Sequence, residues 1–209
     1  MKLITEKNKQ GLTSSEFREF LLQPVPKTNF TTAEVDEITL QLKEGLQKYP
    51  GLGLAATQLG IKKRACIINV DDEPLVLINP FITKRGEEGM VFYEGCLSIP
   101  KTLDTPVQTL RSTKVTVQTD NLGELVFEVN KEGDKDEVSK ETLQTIIVQH
   151  EIDHLDGFTI KDRVYSTTIR NKQKYGRNEK IIMKAPNGEL VEVKYKKANE
   201  FFLKGYEIV

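Results

Sequence analysis

Residues 139–155 read SKETLQTIIVQHEIDHL, and the fold is decided here. Ser139 is a helix N-cap, and the spacing predicts a helix running to about Leu155. The chain's two histidines, His150 and His154, both lie in this stretch, four residues apart, with Glu151 in the second place. Helical residues four apart sit one turn apart on one face. Two imidazoles so placed can bind one metal ion, with the neighbouring carboxylate left to handle protons. Leu143, Ile146 and Ile147 share the stripe, so a metal there would rest against an apolar wall. A chance pair of core or surface histidines is the simpler alternative, but it does not account for the spacing or for Glu151.

Two imidazoles do not complete such a site. Catalytic zinc-type centres use three protein ligands and keep a place for water. One candidate third ligand is a downstream carboxylate, as in many zinc proteases, with Glu179 the one to test. The other is Cys96, in Glu94-Gly95-Cys96-Leu97-Ser98-Ile99-Pro100. Gly95 leaves room for close approach, and Pro100 biases Ile99 toward extended backbone. A lone cysteine is otherwise core packing, which is how Cys66 reads, inside the apolar run Ala65–Val70. On these residues alone Glu179 and Cys96 both stay open.

Outward from the helix, the chain has 209 residues, enough for one domain with or without an appendage. It is 38% hydrophobic and 29% charged, with a net charge of -1, which gives no support to a nucleic-acid binder. No apolar run approaches the ~20 residues a bilayer requires. The opening MKLITEKNKQ has no apolar core of a secretory signal, so a cytoplasmic, non-membrane protein is expected. Two cysteines are no disulfide framework.

Ser14 or Ser15 can cap a short helix over Glu16–Leu22. Thr31 with Glu34 forms a capping box for a longer one, whose apolar face is Val35, Ile38, Leu42 and Leu46 and which Pro50-Gly51 stops. Strands are predicted at Ala65–Val70, Leu75–Asn79, Lys114–Thr119 and Glu124–Val129, with turns at Asp71–Pro74 and Asp120–Gly123. Asn130–Lys140 is a charged loop. Asn187-Gly188 marks a hairpin between Lys180–Met183 and Leu190–Tyr195. Strands and helices without a βαβ rhythm point to an α+β fold. Gly51-x-Gly53-x-x-Ala56 also fits a loose dinucleotide fingerprint. That pattern needs a strand before it and a helix opening at it, and here a helix precedes.

Three motifs occur in order: Gly51-Leu52-Gly53-Leu54-Ala55-Ala56-Thr57-Gln58, Glu94-Gly95-Cys96-Leu97-Ser98, and Gln149-His150-Glu151-Ile152-Asp153-His154. Together they resemble the signature motifs of peptide deformylases, over about Thr31 to Val164. The resemblance implies a hydrolase of protein biosynthesis that removes the formyl group from N-terminal formylmethionine. It implies one divalent metal ion on Cys96, His150 and His154, with Fe²⁺ native and Zn²⁺, Ni²⁺ or Co²⁺ in purified protein. Glu151 would be the general acid–base. The Gln58 side-chain amide and the Leu97 backbone N–H would join the metal in holding the oxyanion, such donors being worth about 3–4 kcal/mol each. Leu52, Gly53, Leu143, Ile146 and Ile147 would meet the methionine and its backbone, and Arg111 would lie near the substrate. Asp153 would either support His154 or form a surface ion pair. The competing function is a zinc metalloprotease of the His-Glu-x-x-His type.

The expected fold is therefore a set of short antiparallel strands around the metal-binding helix, residues 1–164 forming the catalytic domain. Residues 165–209 would be an extension with a β-hairpin. Three regions depart from the family pattern: the first thirty residues, the charged stretch at 133–140, and the tail. The tail starts basic (Arg170, Lys172, Lys174, Arg177, Lys180) and could extend the sheet, cover the site or touch the ribosome; a solvated extension is the plainest reading. A monomer acting on formylated nascent peptides is expected.

Overall fold

The computed structural model describes residues 1–7, 14–70, 73–130, 138–165, 179–185, 188–198, 201 and 206–208. Two helices open the chain, α1 (Ser15–Phe20) and α2 (Thr32–Lys48). Ser14 caps α1, and both halves of the Thr31–Glu34 capping box close on α2. Then come β1 (Gly53–Ala55), a 3-10 turn over Ala56–Leu59, β2 (Ala65–Ile68), β3 (Leu75–Ile78), β4 (Phe81–Arg85) and β5 (Gly89–Glu94). A short helix, α3 (Lys101–Asp104), leads to β6 (Val107–Ser112), β7 (Lys114–Thr119) and β8 (Gly123–Glu128). The long helix α4 (Lys140–Leu155) starts at its Ser139 cap, and the tail adds β9 (Lys180–Lys184), β10 (Leu190–Lys194) and β11 (Glu207–Ile208).

The strands form small antiparallel sheets in the orders β1-β2-β3, β4-β7-β8, β5-β6 and β10-β9-β11. This is the α+β arrangement expected, including the tail hairpin. Strands β1, β4, β5, β6 and β11 are additions to the expectation. Strand β6 escapes alternation because its inward face is polar, with Thr109 and Arg111 both buried. Strand β4 is mostly exposed and carries a bulge between Ile82 and Lys84, so it has no two-residue rhythm to read.

Strand β2 is buried on both faces. Cys66 and Ile68 join the cluster under α4 with Leu77, Val115, Val117, Val148 and Ile152, while Ala65 and Ile67 join Ile38 and Leu42 of α2. The bland reading of Cys66 thus agrees with its setting. Helix α4 is buried from Thr145 to Leu155, including Gln149, His150, Glu151, Asp153 and His154. Burying so many polar groups is unfavourable unless each is paired, so this helix must be built around a polar site. Its C-terminal end is held by Arg64, which donates to Leu155 O, Val25 O and Pro80 O and to the Asp156 carboxylate at 2.7 Å.

The tail strands gather their own cluster, Ile181, Met183 and Ala198 with Val191, Val193 and Tyr195. The turn residues Asp71 and Asp72, the charged residues 131–137, the basic residues Arg170, Lys172, Lys174 and Arg177, and Asn187 lie outside the described residues. Among the described residues no helix is long and apolar enough to cross a membrane.

Candidate metal centre and catalytic cleft

Helix α4 stacks His150 and His154 edge to face, ring centroids 4.9 Å apart. The turn after β5 brings Cys96 to them, its Sγ 3.3 Å from His154 Nε2. The ligand atoms of Cys96, His150 and His154 all lie within 4.8 Å of one another. Among the described residues this is the group able to hold an ion. Glu179 is not in it: its carbonyl accepts from Tyr195 N at the start of the tail sheet. The third-ligand question left open by spacing is settled in favour of the thiol.

The turn is locked from inside. Cys96 N donates to Thr102 Oγ1 at 2.9 Å, and Thr102 Oγ1 donates to Ile99 O at 2.7 Å. Thr102 was not foreseen, because its partner is fixed by the way α3 folds back. His150 Nδ1 meets Glu94 Oε2 at 2.7 Å, leaving Nε2 for the ion. A ligating histidine commonly gives its other nitrogen to such a carboxylate. Glu94, at the end of β5, also takes Arg111 through both oxygens, 2.6 and 2.9 Å, and accepts from the Thr109 hydroxyl. The motif by itself gives Glu94 no role; its place two residues before the ligand cysteine is the signal in the sequence that points to one.

Asp153 neither supports His154 nor sits on the surface. It is buried and accepts from Arg111 and from Arg163, the latter at 2.8 Å. Arg111 is likewise 2% exposed and does not line the cleft; it bridges Glu94 and Asp153 behind the ligand shell. A charged side chain in a strand reads as surface by default, and only tertiary packing brings two carboxylates to it.

Charge suits the donor set. Burial pushes the Cys96 thiol up, but His154 and His150 beside it outweigh this and bring it to about 5, so the sulfur favours the thiolate form that ligates. Burial alone would raise Glu94, yet Arg111 and His150 hold it well below the usual carboxylate range. Burial lifts Glu151 to about 7 against the opposing pull of His150 and His154. Its Oε2 is buried with no hydrogen-bond partner, and Gly53 leaves the space beside it, since a Cβ there would fall 2.5 Å from Glu151 Oε1. A thiol, two imidazoles and an unengaged carboxylate at one point fit a divalent ion with a water.

The site opens into a cleft of about 370 Å³. Leu143, Ile146 and Ile147 form one wall, Leu52 and Gly53 another, and Gln58, Leu97, Cys96, His150 and Glu151 lie along it. His154 is fully buried beneath. Gln58 Oε1 accepts from Ala55 N at 2.8 Å and Nε2 donates to Ser98 Oγ at 3.2 Å, which fixes the orientation of the amide. Neighbours of the Leu97 amide are engaged within the turn, Ile99 N by Cys96 O and Cys96 N by Thr102.

Comparison with known proteins agrees with this site. A sequence profile described as polypeptide deformylase matches residues 19–170, beginning earlier than the motifs alone suggest. A peptide deformylase of Dictyoglomus thermophilum is 34% identical over 157 residues, 72% of this chain and 94% of its own length. One from Rhizobium meliloti is 36% identical over 137 residues, 63% of this chain and 72% of its own. Among solved structures, a probable peptide deformylase of Synechococcus phage S-SSM7 superposes with a TM-score of 0.59 at 29% identity, covering 78% of this chain and 99% of that one. The Synechococcus elongatus peptide deformylase in complex with actinonin gives 0.62 at 29% identity, covering 82% of each chain. The reading as a metalloprotease, which rested on His-Glu-x-x-His alone, gives way. With its thiol-containing metal site and the profile matched over most of its length, the chain belongs to the peptide deformylase family, whose members are metal-dependent hydrolases.

Proposed function

We propose that Cys96, His150 and His154 hold one divalent ion and that Glu151 moves the protons as the formyl group leaves an N-terminal formylmethionine. The observation that supports this most directly is the Glu151 carboxylate: buried, unpartnered at Oε2, raised to about 7, and facing the cleft beside the three ligand atoms. When bound, the ion supplies Lewis acidity and a water acidified toward neutrality. Glu151 accepts a proton from the attacking water and returns one to the leaving amine, a task that favours a pKa near the working pH. The Gln58 side-chain NH₂ and the Leu97 N–H donate to the oxyanion. The methionine side chain lies along Leu52, Leu143, Ile146 and Ile147, and Gly53 lets the peptide backbone come close to Glu151.

Native Fe²⁺ follows from family habit; thiolate and imidazole ligands also suit Zn²⁺, Ni²⁺ and Co²⁺. Residues 1–164 form the catalytic unit of a cytoplasmic monomer, and residues 165–209 an extension whose basic start suits the ribosomal surface where formylated chains emerge. Formate release from a formyl-Met-Ala peptide by anaerobically purified protein tests the reading. Release that tracks metal content is expected, and no release from the metal-loaded protein would overturn it.

A further inference from the structure

Two backbone carbonyls beside the cleft are taken up by a segment from the start of the chain. Ile4 N donates to Gln58 O at 2.8 Å, and Glu6 N donates to Ser98 O at 2.7 Å. Two residues of chain span at most about 7 Å, so these bonds hold the two carbonyls close to one separation. Neither acceptor lies in a sheet: Gln58 is in the 3-10 turn and Ser98 in the turn beyond β5, so no ladder sets that separation. The segment is anchored on both sides. Upstream, Met1 O accepts from Lys48 Nζ at 2.7 Å, and Leu3 N donates to the Tyr49 hydroxyl at 3.1 Å, at the end of α2. Downstream, Glu6 O accepts from Ser14 N at 2.8 Å, and the Glu6 carboxylate pairs with Lys161. Between them Ile4 is 4% exposed and packs in one cluster with Phe17, Leu21, Ile99, Ile160 and the ligand residue Cys96. It also touches the turn that carries Gln58, since a Cβ on Gly60 would fall 3.4 Å from Ile4 Cδ1. Residues 1–7 lie ahead of the stretch that the deformylase profile matches, residues 19–170.

We infer that Leu3–Glu6 is a strap that sets the separation of the two oxyanion donors, with Ile4 and Glu6 as its positioning residues. This rests on the deformylase reading and on Gln58 and Leu97 as those donors. Ile4 holds the residue that carries one donor, and Glu6 holds the residue that follows the other. Donors aimed at developing charge are effective because they need not move as the charge appears. A displacement of about 1 Å, even from a change far from the chemistry, can cost about a hundredfold in rate. The oxyanion exists in the transition state and not in the bound substrate. A loosened strap should therefore lower kcat and leave KM near its value.

The test is formate release from a formyl-Met-Ala peptide by the metal-loaded full chain, with kcat and KM separated and metal content and Tm followed alongside. Glu6→Pro deletes the N–H that reaches Ser98, and Ile4→Ala removes the side chain that anchors the strap. Each should lower kcat about ten- to hundredfold, with KM within about threefold and metal content unchanged. Glu6 is only half-buried, so Glu6→Pro leaves the core whole should Ile4→Ala fail to fold. Two controls separate positioning from stability. Phe17→Ala opens the same cluster without touching either carbonyl, and Lys161→Gln breaks the ion pair of Glu6 while keeping its N–H. Both should hold kcat within about twofold well below Tm, even where Tm falls. In a Gln58→Ala background the loss in Ile4→Ala should shrink to about twofold or less, because the donor it places is gone. Full kcat in Glu6→Pro and Ile4→Ala, a loss matched by Phe17→Ala, or an undiminished loss in the Gln58→Ala background overturns the strap and leaves the deformylase reading intact. No formate from the unsubstituted metal-loaded protein overturns both.

Discussion

Glu94 is where the buried charges converge: it faces His150, Arg111 and Thr109 at once. Its negative charge orients the imidazole and compensates a guanidinium that is almost fully buried. Glu94→Gln keeps the shape and removes the charge, so metal should be held about 10- to 100-fold more weakly. Competition with a chromophoric chelator measures this, and unchanged retention would mean that Glu94 serves the fold alone. Glu151 is a different case, since the three ligand atoms are complete without it. Glu151→Gln should fold, bind metal and bind a formyl peptide, yet release formate at least about a hundredfold more slowly. Metal loss in that variant would put Glu151 among the ligands, and near-normal release would require another base.

At the scale of elements, helices were readable where local chemistry makes them. The α2 cap is an example: Thr31 N donates to Glu34 Oε2 at 2.9 Å, and Glu34 N to Thr31 Oγ1 at 3.3 Å. Thr31→Ala should cost about 1 kcal/mol by urea unfolding. Glu34 adds a pH signature. Hydrogen bonds from Lys63 and Thr31 lower its pKa from 4.5 to about 2. A depressed carboxylate stabilises the fold above its unfolded pKa and loses that contribution as pH falls through the folded one. The melting-temperature gap between the natural protein and Glu34→Gln should therefore be full above 4.5 and shrink from there toward 2. A gap independent of pH would show that the carboxylate is not what the cap uses; the pair is exposed, so added salt should also narrow it. Strands were less readable, because β5 and β6 spend their inward positions on Glu94, Thr109 and Arg111 rather than on apolar residues.

At the scale of the whole molecule, the ligands join distant parts of the chain, so occupancy and folding are linked. An ion present at about a hundred times its Kd adds about 2.7 kcal/mol. For a chain of this size, chelation should lower Tm by about 5–10 °C, read by scanning calorimetry, with recovery on adding metal back. An unmoved Tm would argue that the donors do not hold an ion in solution. The tail bears on the catalytic unit differently. Its strands have a cluster of their own, so a chain ending at Tyr165, whose N–H bonds to Gln108 O, should keep formate release from a short peptide within about threefold. A large loss would place the tail in the working of the cleft.

What the sequence determined by itself was local in origin. The capped helix at 140–155, the one-turn spacing of His150 and His154, the α2 capping box and the hairpin at 180–194 all follow from neighbours a few residues apart. A helix or a tight pair of strands needs no other part of the chain to declare its period. Tertiary structure decided what lies between distant segments: Cys96 rather than Glu179 beside the histidines, Glu94 behind His150, Arg111 turned inward to two carboxylates, and Leu52, Tyr93 and Leu103 brought to one opening. A cysteine, a buried arginine and an exposed leucine each have a bland reading in one dimension. The burial that removes their water, and the partners that replace it, exist only once the sheets have packed on α4.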